Sequence, residues 1–111
     1  NRRRTKSKNI NNKHRINMRK VTELIKKAFE QGTSLKIGNT RTDGTSVFLH
    51  GNEIVKRENS GLVMATLAGW NTPTTRERVN GITGLGIHQK NFKPMLNGSE
   101  IDSFDWIFAQ V

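Results

Sequence analysis

The sequence predicts an α+β domain: an N-terminal helix packed on a small antiparallel β-meander, then a short helix and a C-terminal strand or tail. Three observations carry that reading. Apolar residues fall at helical spacing through residues 17–31. Short β-type runs broken by Asp43-Gly44, Gly51-Asn52 and Asn59-Ser60-Gly61 follow up to Trp70. A Thr-Pro-Thr-Thr start at residues 72–75 then opens a second helical stretch.

In chain order, residues 1–16 come first. They have almost no apolar content and read as a basic arm disordered on its own. Residues 17–111 read as a single small α+β domain. In the first helix Met18, Val21, Leu24, Ile25, Ala28 and Phe29 make one stripe, with Asn17 as cap and Gly32 as stop. Glu23 and Lys27 stand in the favourable i, i+4 order. The segments "SLKIGNTRT", "TSVFLH", "EIVKRE" and "LVMATLAGW" predict hairpins in series, a sheet of three to five strands. Val47 and Leu49 should share one face and Phe48 the other, and Ile54 should alternate with Val55. Residues 62–68 are apolar almost throughout, which predicts a central strand covered on both faces. Thr72 or Thr74 should cap the short helix, Thr74 and Glu77 have capping-box spacing, and Asn80-Gly81 should end it after about two turns. "ITGLGIHQKNF" reads as too glycine-rich for a regular helix. "FDWIFAQV" reads as an edge strand or docked tail joining the core through Phe104, Trp106, Ile107 and Phe108. Trp70, at the end of an apolar strand, reads as core or as a lid over it, with base stacking as the use of an exposed ring.

The charge is divided unevenly. Residues 1–20 hold nine of the nineteen Lys and Arg residues and no acid; the rest of the chain carries ten against nine acids. A nearly neutral body with a cationic arm points to a polyanionic partner. The arm has no aromatic residue, so its available contacts are Arg and Lys to phosphate, or Arg2, Arg3 and Arg4 in a minor groove. Lys6, Lys8, Lys13 and Arg15 complete it, and Arg19 and Lys20 continue the basic surface against the helix dipole. On the body, Lys56 and Arg57 lie with Arg41 on the meander. Arg76 and Arg78 flank Glu77 on the short helix, and Lys90 follows. Each has a duller explanation as edge-protecting or solvated charge.

Catalytic chemistry is hard to assemble. There is no cysteine, so thiolate catalysis, disulfides and Cys-based zinc sites are excluded, and a reducing cytoplasm is the expected setting. His14, His50 and His88 are scattered, and no nucleophile elbow is present. "GLGIHQK" does not have the spacing of a phosphate-binding loop. A phosphodiesterase built on His88 and Glu77 is the enzymatic alternative that the basic chain leaves open. No cofactor or metal is expected. No apolar run reaches the ~18 residues of a membrane span, and the N-terminus lacks the apolar stretch of a secretory signal. The chain does not open on Met, as a trimmed chain would not.

"GNTRTDGTSVFLHGNEIVKRE" followed by "TLAGWNTPTTRERVNGI" resembles small basic accessory proteins of tailed bacteriophages, over roughly residues 17–105. The resemblance implies a phage origin and a small accessory role in the host cytoplasm. It brings no catalytic residues.

The sequence thus predicts a non-enzymatic nucleic-acid-binding protein whose arm contacts phosphates. Arg76, Arg78, Lys56, Arg57 and Lys90 would orient the body on DNA or RNA. It lacks the stacking motif of an RRM and the GXXG loop of a KH domain. The alternatives are a phage protein that engages an acidic surface of a host or phage protein, or a component of a virion or ribonucleoprotein assembly.

Overall fold

The computed structural model describes residues 18–109. Helix α1 spans Met18–Gln31. Val21, Ile25, Ala28 and Phe29 are buried, so the predicted stripe is the core face. Gly32 (φ 73°) ends the helix. There the Gly32 N–H donates to Phe29 O at 3.2 Å and the Thr33 N–H to Ala28 O at 2.9 Å. Asn17, the expected cap, lies outside the described residues. Glu23 accepts from Arg19 at 3.3 Å, in place of the expected Lys27.

Five strands follow: β1 (Leu35–Ile37), β2 (Thr40–Thr42), β3 (Ser46–Leu49), β4 (Asn52–Arg57) and β5 (Val63–Ala65). Helix α2 spans Pro73–Thr83, and β6 (His88–Lys90), β7 (Lys93–Leu96), β8 (Ser99–Glu100) and β9 (Ile107–Ala109) complete the order. The main sheet is antiparallel with strand order β9-β5-β4-β3-β2-β1. The expected meander is therefore present, with one strand more than the sequence predicts. Gly38 (φ 60°) splits "SLKIGNTRT" into a hairpin of its own. The C-terminal segment is an edge strand, pairing Phe108 with Met64. A separate antiparallel sheet, β6-β7-β8, begins at the end of the segment read as too glycine-rich for a regular helix.

The β2–β3 turn is held by Asp43, whose carboxylate accepts from the N–H groups of Thr45 and Ser46 at 2.9 and 2.8 Å. Those backbone donors, Thr45 first, hold the Asp43 carboxyl below its ordinary value.

Val47 and Leu49 are buried on one face and Phe48 stands on the other, as the alternation predicts. Ile54 and Val55 do not alternate: both are buried. The register shifts between Val47, opposite Val55, and Phe48, opposite Glu53, so Ile54 is the extra residue of a bulge. One core joins Val47, Leu49, Val55, Ala65 and Leu67 to Val21, Ile25 and Phe29 of α1 and to Val79 and Ile82 of α2. Both helices thus cover the same face. The strand at residues 63–65 lies inside the sheet, but it is not covered on both faces: Val63 and Met64 are only half-buried.

Thr72 caps α2, accepting from the Thr75 N–H, with Pro73 in the first turn. The helix does not stop at Asn80-Gly81. It runs on to Thr83 and closes on Gly84 (φ 84°). Asn80 uses its side chain elsewhere, accepting from Ile87 N at 2.9 Å and donating to Ile87 O at 2.8 Å, which folds the following loop back on the helix. Gly81 sits where α2 meets α1. A Cβ there would lie 2.4 Å from Thr22 Cγ2, so glycine sets how closely the helices approach.

The aromatic end of the chain is less buried than its composition predicts. Phe104 is 72% and Phe108 58% exposed, Trp106 is half-buried, and only Ile107 packs against the core. The core is already filled by helix and strand aliphatics, and strand alternation turns Phe108 to the face opposite Ile107.

Gly81→Ala should destabilise the fold by about 1–3 kcal/mol despite alanine's higher helix propensity, because overpacking outweighs propensity here. Thr22→Ser in the same chain removes the methyl, keeps the hydroxyl and should recover most of the loss in urea unfolding. Additive effects would disprove the contact. A second expectation concerns acid. The stability Asp43 adds is complete above about pH 4 and disappears as pH falls through its lowered native value. Asp43→Asn should therefore flatten the acid limb of a urea-midpoint profile between about pH 2 and 4, and an unchanged limb would remove Asp43 from acid stability.

Candidate nucleic-acid interface

Strand pairing assembles the face that the helices leave open. Lys36, Arg41, Phe48 and Glu53 are cross-strand partners in succession over β1 to β4. Ser46, Lys56, Met64 and Phe108 form a second such row over β3, β4, β5 and β9. Paired residues share a face, so both rows lie opposite the core.

The rings on this face are overlaid by cations. The Arg41 guanidinium lies 3.9 Å above the Phe48 ring, and the Lys56 ammonium 4.2 Å above the Trp106 ring. Trp106 stands two residues before Phe108 and so shares its side of the sheet. Ser46 donates to Glu53 at 2.6 Å, and Glu58 approaches Lys56 at 3.6 Å. Lys36, Arg41 and Lys56 thus face two acids, a nearly balanced surface that carries aromatic area. Phe48 and Phe108 are three strand spacings apart across the sheet, about 14 Å.

The predicted contact residues fall into distinct groups. Arg2, Arg3, Arg4, Lys6, Lys8, Lys13 and Arg15 lie outside the described residues. Arg19 is exposed on α1 beside Glu23, and Lys20 is exposed next to it. Lys56 is on the open face. Lys90 is exposed on β6.

Three arginines prove to be structural ties. Arg57 donates to Gly44 O at 2.7 Å and to Phe29 O at 2.9 Å, and stacks 4.2 Å over the Phe29 ring. It joins the end of α1 to the β2–β3 turn, where a Cβ on Gly44 would lie 2.5 Å from Gly32 O. Arg76 donates to Asn71 and, at 3.4 Å, to Gln89, linking α2 to β6. Arg78 is 4% exposed. Its Nε donates to Thr40 at 3.0 Å, and its Nη1 to Thr22 at 3.1 Å and to Glu77 at 2.6 Å. The expectation that Arg78 meets phosphate is corrected by this enclosure: the guanidinium faces inward between α1, α2 and β2. Arg57 is likewise committed to carbonyls within the fold.

Trp70 is 57% exposed and forms a wall of a cavity of about 540 Å³ over Leu49, Ile54 and Leu67. It is a lid residue with an accessible ring rather than a core residue. Glu77 accepts from Thr22 and Arg78, while His88 stands on β6 with its ring beside Gly86 O. Among the described residues no group of three or more His, Asp or Glu is placed to hold a metal ion. Among the same residues no helix is long and apolar enough to cross a membrane.

The residues that sequence reasoning missed as site candidates are Phe48, Trp106 and Phe108. The signal was present for Phe48, assigned to the face opposite Val47 and Leu49. Burial of the other two was assumed from aromatic content alone.

Residues 18–110 match the family model described as Kyanoviridae Gp96 protein. The chain belongs to the Kyanoviridae Gp96 family. This is a family of phage proteins, in keeping with the origin that the resemblance implies, and its span takes in both helices and both sheets. No curated protein and no solved structure matches the chain.

The family's matched span thus includes Arg78 and its partners. Arg78→Ala should lower stability by about 2–4 kcal/mol, because it takes the donor from the buried Thr22 and Thr40 and the cation from the partly buried Glu77. Arg41→Ala should cost less than about 1 kcal/mol. Equal urea midpoints for the two variants would contradict the inward assignment of Arg78.

Proposed function

We propose that this Gp96-family chain is a non-enzymatic accessory protein that binds single-stranded nucleic acid across the open face of its main sheet. The observation that carries the reading is the uncovered aromatic–cationic face: Phe48 beneath Arg41, Trp106 beneath Lys56, and Phe108 exposed beside them. Unpaired bases stack on aromatic rings and on guanidinium planes, and the open sheet face presents several such groups to one strand, with Phe48 and Phe108 far enough apart to meet bases that are not neighbours. A regular duplex hides its base faces, so this surface favours a single strand over a double one.

Charge supports a division of labour. The sheet face is close to neutral, while the arm carries a dense run of Arg and Lys and no acid. The arm would supply salt-dependent attraction to phosphates, and the sheet would supply stacking that depends little on salt.

The two contributions separate in one experiment. Anisotropy titrations of labelled single-stranded DNA and RNA at about 50 mM salt, where phosphate contacts are strong, should show binding. Removing residues 1–16 should flatten the dependence of log Kd on log salt. Phe48→Ala with Phe108→Ala should weaken binding about ten-fold or more and leave that slope in place. Absence of binding to either polymer would sink the reading. A lysate partner retained after complete nuclease digestion, with no direct oligonucleotide binding, would favour the protein-partner alternative instead.

A further inference from the structure

The β6–β7 connection is a two-residue loop, Asn91–Phe92, closing the pair Lys90 and Lys93. Both loop residues are left-handed, at φ 52° and 65°. This is the backbone of a tight hairpin turn whose second position strongly favours glycine. The same molecule supplies the comparison. The β7–β8 turn is Asn97–Gly98 at φ 52° and 83°, and the β3–β4 turn is His50–Gly51 at φ 52° and 83°. In three turns of one geometry, glycine fills the second position twice and phenylalanine once.

A bulky side chain at positive φ is an outlier that folding alone does not favour. Burial does not offset it here, because Phe92 is 89% exposed, the most exposed of the large apolar residues among those described. The tip is nevertheless braced. Asn71 donates to Phe92 O at 3.4 Å and to Gln89 at 3.3 Å, and Arg76 donates to both Asn71 and Gln89. The brace begins at the residue after Trp70, whose ring is also exposed. A strained aromatic is thus held out on a supported hairpin between two lysines.

We infer that Phe92 is a wedge that inserts between neighbouring bases of a nucleic acid, with Lys90 and, on leaving its exposed pair with Glu100 at 3.7 Å, Lys93 reaching the flanking phosphates. The inference rests on the nucleic-acid reading above but uses a different surface from the sheet face. Phenylalanine is among the apolar side chains that proteins insert between base steps, partly unstacking them, while basic side chains contact the nucleic acid around the step. A lone phenylalanine is too little apolar area for stable membrane anchoring, which takes more than one weak signal.

The test uses Phe92→Gly and Phe92→Trp in the full chain. Phe92→Gly restores the favoured turn and should raise the melting temperature by about a few degrees. It should weaken binding to a single strand carrying 2-aminopurine about ten-fold and abolish the fluorescence rise that accompanies unstacking. Phe92→Trp should retain both signals. A lowered melting temperature for Phe92→Gly would overturn the strain argument and the proposal with it. Unchanged binding and unstacking by Phe92→Gly, while Phe48→Ala with Phe108→Ala still loses affinity, would overturn the wedge alone. A wild-type chain that binds no oligonucleotide would overturn both readings. Loss confined to vesicles of phosphatidylserine and phosphatidylcholine would replace the wedge with membrane insertion.

Discussion

The guanidinium of Arg78, with Thr40, Thr22 and Glu77 among its partners, occupies the point where α1, α2 and β2 converge, and the rest of the architecture follows from that junction. A charge removed from water must be paired and hydrogen-bonded, or it destabilises the fold around it. Thr40, Thr22 and Glu77 meet that demand from three different elements. The helices can approach closely enough for this only because residue 81 lacks a Cβ opposite Thr22. Thr22 in turn donates to Glu77 at 2.6 Å, so the same hydroxyl serves the cation and the anion. Apolar contact alone would let α2 slide along α1; a directional network fixes its register. With α2 placed, Asn71, next to its cap at Thr72, and Arg76 fall where they brace the second sheet.

Both helices are spent on one face of the sheet, and that has a cost on the other. Residues that a two-sided core would have buried remain in contact with water. Their exposure is moderated by pairing rings with cations, Arg41 with Phe48 and Lys56 with Trp106. Long basic side chains cover apolar area with their stems while keeping their charges wet. The same pairs that make this face tolerable to solvent are the ones the proposed reading uses for stacking, so its structural and functional readings use one set of atoms. What separates them is Phe108, which no cation covers among the described contacts and which burial does not explain.

Much of this was legible in the sequence, and the failures have specific causes. Local signals held where one interaction dominates: the stripe of α1, its glycine stop, the Asp-Gly turn, and the Thr72-Pro73 start of α2. Asn80-Gly81 failed because a tertiary demand reused both residues, Gly81 for helix contact and Asn80 to bind Ile87. Ile54 and Val55 failed because a bulge breaks strict alternation and leaves no mark in composition. The arginines were the hardest to read. Arg76 and Arg78 look alike in a basic sequence, yet one ties α2 to β6 and the other is enclosed. Only long-range contacts distinguish a tie from a free cation, and Thr40 and Thr22 lie far from Arg78 along the chain. For the sheet face, alternation alone sufficed to place Phe48 opposite the core.

On the proposed reading, arm and body are each incomplete. The arm has a dense run of cations and no Phe, Tyr or Trp, so its main contribution is to hold a polyanion. The body has rings in place but, with Arg57 and Arg78 turned to internal partners, too little free charge to gather a polyanion from dilute solution. Screening by salt acts on the first contribution and hardly on the second. The family match begins at α1, where the arm ends, so stacking surface and hairpin tip belong to the family span while most of the charge lies before it. If the arm sets how strongly the chain is drawn to a strand, the sheet face and the braced tip decide what is done to the bases once it arrives. On that reading, what this chain does to bases resides in its aromatic geometry rather than in its net charge.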